Sequence, residues 1–525
     1  MSKATETPQP QRTARSLWQS YRDDTCISRC VQYAKWTLPY LMADVESIGV
    51  NGRVMVERDF QEIGAMLVNN LASKLTRILF PTQYPFFRIS ASETFKQYAR
   101  QLGYDDEALR SAFSKMEMQA NERLFINAGY AHLIMAMKYL IVTGNVLLYR
   151  DSAAGRILTY GLQSFTCRRD GTGEVLACIL KEHSTVQALP EEIRQELHQK
   201  APGAYTQPEK KVEKYTRIER EDRNGRVGYS VQQEIDTTPV GKPSWYPKHL
   251  CPWMLPTWNL IPGEHYGRGI VEDYAGGFAK LSALSEAATL YAVEALRVVH
   301  LVGPGAGNDV DSLAASESGE WVRADPGAVQ AHEAGDSQKL AIVEQQIDRI
   351  VTRLAKAFMY QGGTRDAERV TAYELQLDAQ EAEYALGGVY SSLSGSIQIP
   401  LAHILLTEVS DMTLAGLISG EIMPDVTAGI PALGRSRDVQ NLLMAAQELV
   451  SIAPVVQLDE RLNPQKIVDL VLAGRSIDPD TLFYTPEQLQ QIREAKQAQQ
   501  MAQQNLLQAN TLAQQSEQIQ NVLGG

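Results

Sequence analysis

The sequence predicts a mainly α-helical chain interrupted by one α+β region, and three observations predict it. Apolar residues recur at three- and four-residue steps through the first 150 positions and again after position 270, the spacing of one buried helix face. Between about 145 and 236 the chain changes to short β-type runs separated by sharp turn signals. At 525 residues it exceeds what one hydrophobic core usually serves, so two or more structural units are expected.

Taken in order, Phe60, Ile63, Leu67, Leu71, Leu75, Ile78 and Leu79 trace a helix face that Pro81 ends. Similar patterns cover 105–125 and 130–142. The most apolar stretch, 133–149, contains Lys138, Thr143, Gly144 and Asn145; it reads as a buried helix followed by a strand, not as a membrane span. Asp170-Gly171-Thr172-Gly173 and Asn224-Gly225 mark turns in the β region, and one short helix over 190–199 interrupts it. Residues 239–262, rich in Pro and Trp, read as irregular packed loop.

Two long helices are expected next. Residues 270–301 carry Tyr274, Phe278, Leu281, Leu284, Ala288, Tyr291, Ala295 and Val298 on one stripe beside many small residues. At 1.5 Å per residue such a helix spans about 48 Å. A Gly-, Ser-, Asp- and Ala-rich insert over 303–336 reads as a small projecting unit. Leu340, Val343, Ile347, Ile350, Leu354 and Phe358 then mark the second helix. The polar loop Gln361-Gly362-Gly363-Thr364-Arg365-Asp366 leads to Thr371-Ala372-Tyr373-Glu374, a capping box opening a further helix through Thr371 and Glu374. The last 125 residues read as helical, with breaks at Pro424, Pro431 and Pro454. From 486 on, Gln and Ala dominate, as in a long helix needing partners or a disordered tail.

The formal charge of -12 gives no basic surplus with which to clamp DNA, and the first inference is net repulsion from it. Cys26, Cys30, Cys167, Cys178 and Cys251 are too few and scattered for a disulfide framework and read as small core residues in a reducing compartment. The polar N-terminal residues 1–11 lack the apolar core of a secretory signal. Gly429-Ile430-Pro431-Ala432-Leu433-Gly434-Arg435-Ser436 approaches a phosphate-binding loop, but arginine stands in place of the lysine and no buried strand precedes it. It reads as a turn with Ser436 capping a helix. The eight histidines fall into no ligand set, and no nucleophile elbow is present. No cofactor, metal or catalytic site is expected.

Several stretches in series resemble the portal, or head-to-tail connector, proteins of short-tailed bacteriophages. They are Asp59-Phe60-Gln61, Val68-Asn69-Asn70-Leu71-Ala72-Ser73-Lys74-Leu75, Leu79-Phe80-Pro81 and Pro85-Phe86-Phe87-Arg88. Tyr266-Gly267-Arg268-Gly269 with Val271-Glu272 follows, then Glu368-Arg369-Val370-Thr371-Ala372. Leu386-Gly387-Gly388-Val389-Tyr390-Ser391 and Gln398-Ile399-Pro400-Leu401 complete the series. Their order and spacing match across roughly residues 10–480, and the Gln-rich tail departs from the pattern.

The resemblance implies a phage portal fold: an α+β wing over 1–265, a first stem helix over 266–302, a clip over 303–338 and a second stem helix over 339–360. A tunnel loop over 361–370, a wing and crown-base helix over 371–410 and a helical crown over 411–485 would follow. It also implies a closed ring of this chain, a dodecamer, at one capsid vertex of the virion, assembled in the host cytoplasm, through which double-stranded DNA is packaged and ejected. The implied partners are major capsid and scaffolding proteins, the large terminase subunit, a tail adaptor and internal core proteins, with no membrane. An acidic wall would keep DNA from sticking, and a few basic side chains would steady it. The channel candidates are Arg353, Lys356, Thr364, Arg365 and Arg369, with Gly362 and Gly363 as the loop's hinge. The rival readings are another ring of the tail, such as an adaptor, and an NTP-driven DNA translocase.

Overall fold

Helix α3 (Ile63–Leu79) forms the centre of the helical part because its apolar residues fall on one broad face. Leu67, Val68, Leu71, Ala72, Leu75, Ile78 and Leu79 are all buried. That face meets α6 (Gly129–Thr143), whose Leu133, Ala136, Met137, Leu140 and Ile141 are equally buried. The computed structural model describes residues 12–43, 57, 59–82, 84–104, 106–295, 298–302, 315, 329–333, 337–360, 388–409 and 422–426. All belong to the first of two units, Met1–Ala432; the second, Leu433–Gly525, lies outside the described residues.

Around this centre stand α1 (Ala14–Tyr21), α2 (Asp24–Trp36), α4 (Glu93–Gln101) and α5 (Asp106–Phe125). The run Leu109–Thr143 is long and apolar enough to cross a membrane by composition. In the structure it is two helices, because Asn127 (φ 55°) and Ala128 (φ 61°) take left-handed conformations between α5 and α6. Gly144 (φ 74°) then ends α6, and strand β2 (Leu147–Asp151) follows.

The β region holds two antiparallel sheets. One runs β3 (Arg156–Tyr160), β2, β9 (Trp253–Met254). The other runs in chain order through β4 (Phe165–Arg169), β5 (Val175–Thr185), β6 (Lys211–Arg223), β7 (Arg226–Ile235) and β8 (Thr238–Pro247). Asn224 (φ 56°) and Gly225 (φ 76°) form the β6–β7 turn, both with the positive φ of a type I′ hairpin. Helix α1 lays Ala14, Leu17 and Trp18 against Ile179 and Tyr215. Helix α7 (Glu191–Lys200) covers Val212, Ile235 and Val240.

Three expectations need correction, and a fourth, the helix over 371–410, gains a detail. Much of 239–262 is not irregular: β8 and β9 lie within it. Among the described strands β8 pairs only with β7, so Pro239, Pro243 and Pro247 sit on a sheet edge, where a missing N–H is tolerated. The helix expected over 270–301 is α8 (Ile270–Asp273), a break at Tyr274, and α9 (Ala275–Ala295). Its last residues, Val298–Val302, form strand β10, which pairs with β11 (Val329–Glu333), so the insert begins and ends as one two-stranded ladder. The β-branched Val298-Val299 pair explains the switch. Within the helix expected over 371–410, the described part is α11 (Val389–Leu393), a π-helical turn (Ser394–Gln398) and α12 (Ile399–Val409). The wide turn falls just before Pro400, whose ring would clash with the carbonyl one α-turn back. Pro424 does not interrupt a helix; it lies in β12 (Ile422–Val426), paired antiparallel with β1 (Phe87–Ala91). Ile89, opposite Pro424, donates its N–H to Glu117 Oε1 at 2.7 Å, so that pair is not one that exchanges backbone hydrogen bonds and proline's missing donor is not needed.

The second long helix, α10 (Ser337–Ala357), packs on α9. Phe278 and Leu281 on one side and Ile350, Leu354 and Phe358 on the other are all buried, and the Phe278 and Phe358 rings cross at 85° with centroids 5.7 Å apart.

Candidate functional site

The pattern that buries Ile350 and Leu354 turns the other faces of α10 outward. Arg353 and Lys356 both lie there, exposed. The sequence reading missed Arg349, one turn before Arg353 and also exposed. Positions 349, 353 and 356 form one line about 10 Å long. The Arg353 guanidinium extends over Gly277 of α9, where no side chain obstructs it. Exposed Glu344 and Asp348 flank the line, yet none of these three cations forms an ion pair among the described residues. Nearby, Leu290 and Val293 of α9 and Ile342 of α10 remain 60–65% exposed.

The end of α10 is held by α3. Met359 takes a left-handed φ of 52°, and Tyr360 donates its N–H back to the Ala355 carbonyl at 2.8 Å, closing the helix as a Schellman turn does. Lys74 Nζ donates to the Met359 carbonyl at 2.8 Å. Asn70 Nδ2 reaches the carbonyls of Phe358 at 3.5 Å and Met359 at 3.4 Å. An ammonium at a helix C-terminus also complements the helix dipole. On the far side of residues 361–387, buried Gln398 donates Nε2 to the Leu79 carbonyl at 2.5 Å, capping α3, and its Oε1 has no partner among the described residues.

The matched stretches resolve into packing devices. Asp59 accepts from Ser282 Oγ of α9 at 2.7 Å, and Gln61 bridges the Trp36 carbonyl at 2.5 Å and the Gly64 N–H at 2.9 Å. Asn145 donates to the Gly267 carbonyl and accepts from its N–H, both at 2.7 Å. Here two backbones cross so closely that a Cβ on Gly269 would stand 2.5 Å from the Ile141 carbonyl oxygen. Arg150 of β2, fully buried, grips Glu408 of α12 in a two-pronged pair at 2.9 and 2.7 Å. Arg123 also donates to the Glu408 carbonyl.

Other polar clusters carry less chemistry. A cleft of about 590 Å³ between α2 and residues 263–268 is lined by both signs of charge, and Arg268 is already paired with Glu264 at 2.6 Å. Cys26 and Cys30 border it. All five cysteines are free, and burial pushes Cys167 up to about 11. His249 and His403 stack with centroids 5.5 Å apart; burial lowers both imidazoles below their usual range. Among the described residues no group of three or more His, Cys, Asp or Glu side chains is arranged to hold a metal.

Of the expected site, the structure therefore places Arg353 and Lys356 together. Gly362, Gly363, Thr364, Arg365, Arg369, Thr371 and Glu374, like the loop at 429–436, lie outside the described residues. Asn70, Lys74 and Gln398 entered only as members of the matched stretches, with no role assigned, and Arg150 and Glu408 were not singled out. Lys74 and Gln398 left a faint signal, as long polar side chains inside otherwise apolar helix patterns.

Comparison with known proteins is consistent along nearly the whole chain. A family profile described as bacteriophage head to tail connecting protein matches residues 11–482. The portal protein of Pseudomonas phage phiKMV is 43% identical over 98% of this chain and 99% of its own length. That of Escherichia phage T7 is 30% identical over 94% of this chain and 92% of its own. Among solved structures, the neck of an empty GTA particle aligns with 80% of this chain and 91% of its own at 13% identity and a TM-score of 0.38.

Proposed function

The chain belongs to the bacteriophage head-to-tail connector family, a structural and non-enzymatic one, and from that membership we propose a ring that conducts double-stranded DNA into and out of the capsid. It is a phage portal. In this reading copies of the chain join head to tail and close around a pore as a dodecamer at one vertex of the virion. Helices α9 and α10 are the stem, residues 303–338 the clip, and the part before residue 266 the wing. The crown follows residue 410. The clip side takes the large terminase subunit and later the tail adaptor, and the wing and crown side takes capsid, scaffolding and internal core proteins; assembly is in the host cytoplasm.

The observation that supports this most directly is the line Arg349, Arg353, Lys356. In a chain of net charge -12 it is an exposed cationic row on one of the two long helices. A mostly acidic wall repels the duplex, and a sparse row of cations meets phosphates one at a time. An exposed charge pair is worth only about 0–1 kcal/mol, so many weak contacts steady the DNA without trapping it. Residues 361–370 continue the row as a tunnel loop, with Arg365 and Arg369 toward DNA beside Thr364, Gly362 and Gly363 lending it backbone freedom, and Thr371 and Glu374 capping the helix after it.

The test is electron microscopy of purified rings beside DNA binding over a range of salt. Wild type is expected to show rings with a central hole and a wing-and-stem profile. The triple variant Arg349→Gln, Arg353→Gln, Lys356→Gln is expected to form the same rings with a shallower salt dependence, by roughly 0.9 logarithmic units per lost phosphate contact. An unchanged dependence would set the row away from DNA; a profile without a stem would favour an adaptor-type ring.

A further inference from the structure

Three departures from unstrained geometry gather at the two roots of one segment. Before residues 361–387, Met359 holds a left-handed φ of 52° that a side chain disfavours. After them comes the π-helical turn Ser394–Gln398, and at its end Gln398 is fully buried with one of its two polar atoms unpartnered among the described residues. Wide helical turns and half-satisfied buried polar groups are uncommon, and their clustering points to a constraint beyond stability. Both roots reach the same helix: Lys74 and Asn70 of α3 hold the last carbonyls of α10, and Gln398 holds the last carbonyl of α3.

We propose that α3 is the common seat of these two roots, with Lys74 and Gln398 as positioning residues that fix where the chain leaves α10 and where it returns. Lys74 suits this task better than a backbone cap. Its ammonium meets the negative end of α10 and bonds the carbonyl of Met359, the residue that carries the left-handed φ. Asn70, one turn earlier on the same face, reaches that carbonyl and the neighbouring one of Phe358, so the exit is held from two points. Gln398 sets the return by a single bond in a fully buried place, where a longer or shorter side chain would miss the Leu79 carbonyl. Both roots are thereby tied to α3, whose Leu67, Leu71 and Leu75 are fully buried, and not only to the exposed α9–α10 pair.

The inference rests on the reading of 361–370 as the DNA-contacting loop, and the experiment separates the two. Lys74→Met keeps the packing of the side chain and removes the donor. It is expected to form normal rings, to speed amide hydrogen exchange at Tyr360 about tenfold, the loss of one charge-assisted hydrogen bond, and to lower the fraction of heads that retain DNA. Lys74→Arg should restore both readouts. Asn70→Ala, a milder cut at the same carbonyls, should move both in the same direction and serves if Lys74→Met does not fold. Unchanged exchange at Tyr360, or loss of rings in both variants, would overturn the proposal. A chain shortened within 361–370 tests the other reading: normal retention there, with faster exchange in Lys74→Met, would remove the loop's role and leave the seat standing. Reduced retention there with wild-type retention in Lys74→Met would do the reverse.

Discussion

Helices α3 and α9 are of similar length and are both rich in apolar residues, yet they are satisfied in opposite ways. Nine of the seventeen residues of α3 are buried within one chain. Among the described side chains of α9 only Phe278 and Leu281 are, while Leu290 and Val293 stand 61% and 65% exposed. The first helix belongs to a core that one chain completes. The second is half of a packing problem whose other half lies on another copy in the proposed ring. Stability and assembly are thus written on different helices, and a substitution should disturb one without the other.

The sharpest way to break that division is at the buried pair. Glu408→Ala leaves the fully buried Arg150 guanidinium without its carboxylate, which should destabilise the fold by about 3–5 kcal/mol in a denaturant titration. A loss below about 1 kcal/mol would mean that the pair is solvated and that α12 is held elsewhere. On the other side of the comparison, Ala288→Arg puts a bulky charge into the half-buried stripe of α9. The single chain should unfold within about 0.5 kcal/mol of wild type while sedimentation reports loss of rings. Intact rings would move the subunit contact off this stripe.

The smallest effect is expected with pH, where α12 meets residues 248–250. His249 and His403 both have lowered proton affinity in the fold, chiefly through burial, with Lys248 acting on His249 and His249 on His403. The unfolded chain therefore binds more protons, so stability should be constant above the ordinary imidazole range near about 6.5 and fall as pH drops through it toward the folded values. Glu174 holds Lys248, so both charges enter that balance. His403→Gln should flatten the curve between neutral and mildly acidic pH. An equally steep decline in the variant would assign the pH response to other groups.

Most helices were legible because a 3.6-residue period survives wherever one face is buried, as from Phe60 to Pro81. The β6–β7 hairpin was legible because Asn224-Gly225 fits few other structures. What failed did so for tertiary reasons. The Pro-rich residues of β8 read as loop because proline opposes a central strand, and nothing local announces that the strand lies on an edge. The switch from α9 to β10 needed the partner strand 27 or more residues away. At the candidate site, charge on a helix face exposed Arg353 and Lys356 directly. Lys74 escaped because its carbonyl partner, Met359, lies 285 positions later. The glycines at 267 and 269 were visible as part of a motif, but their cause, two backbones crossing at Gly144, was not.

The pairing of β1 with β12 also bears on how the chain is made. A ribosome that has just completed Phe87–Ala91 must add about 330 more residues before Ile422 emerges, roughly 20–70 s at ordinary rates of synthesis. For that interval one edge of β1 has no strand beside it, and free edges invite pairing with other nascent chains. Glu117 arrives early, only 28 positions after Ile89, and occupies that residue's N–H at once. That N–H points away from β12, so the side chain engages only the opposite edge of β1, and the edge that will meet β12 stays open for a strand that exists only when most of the polypeptide does.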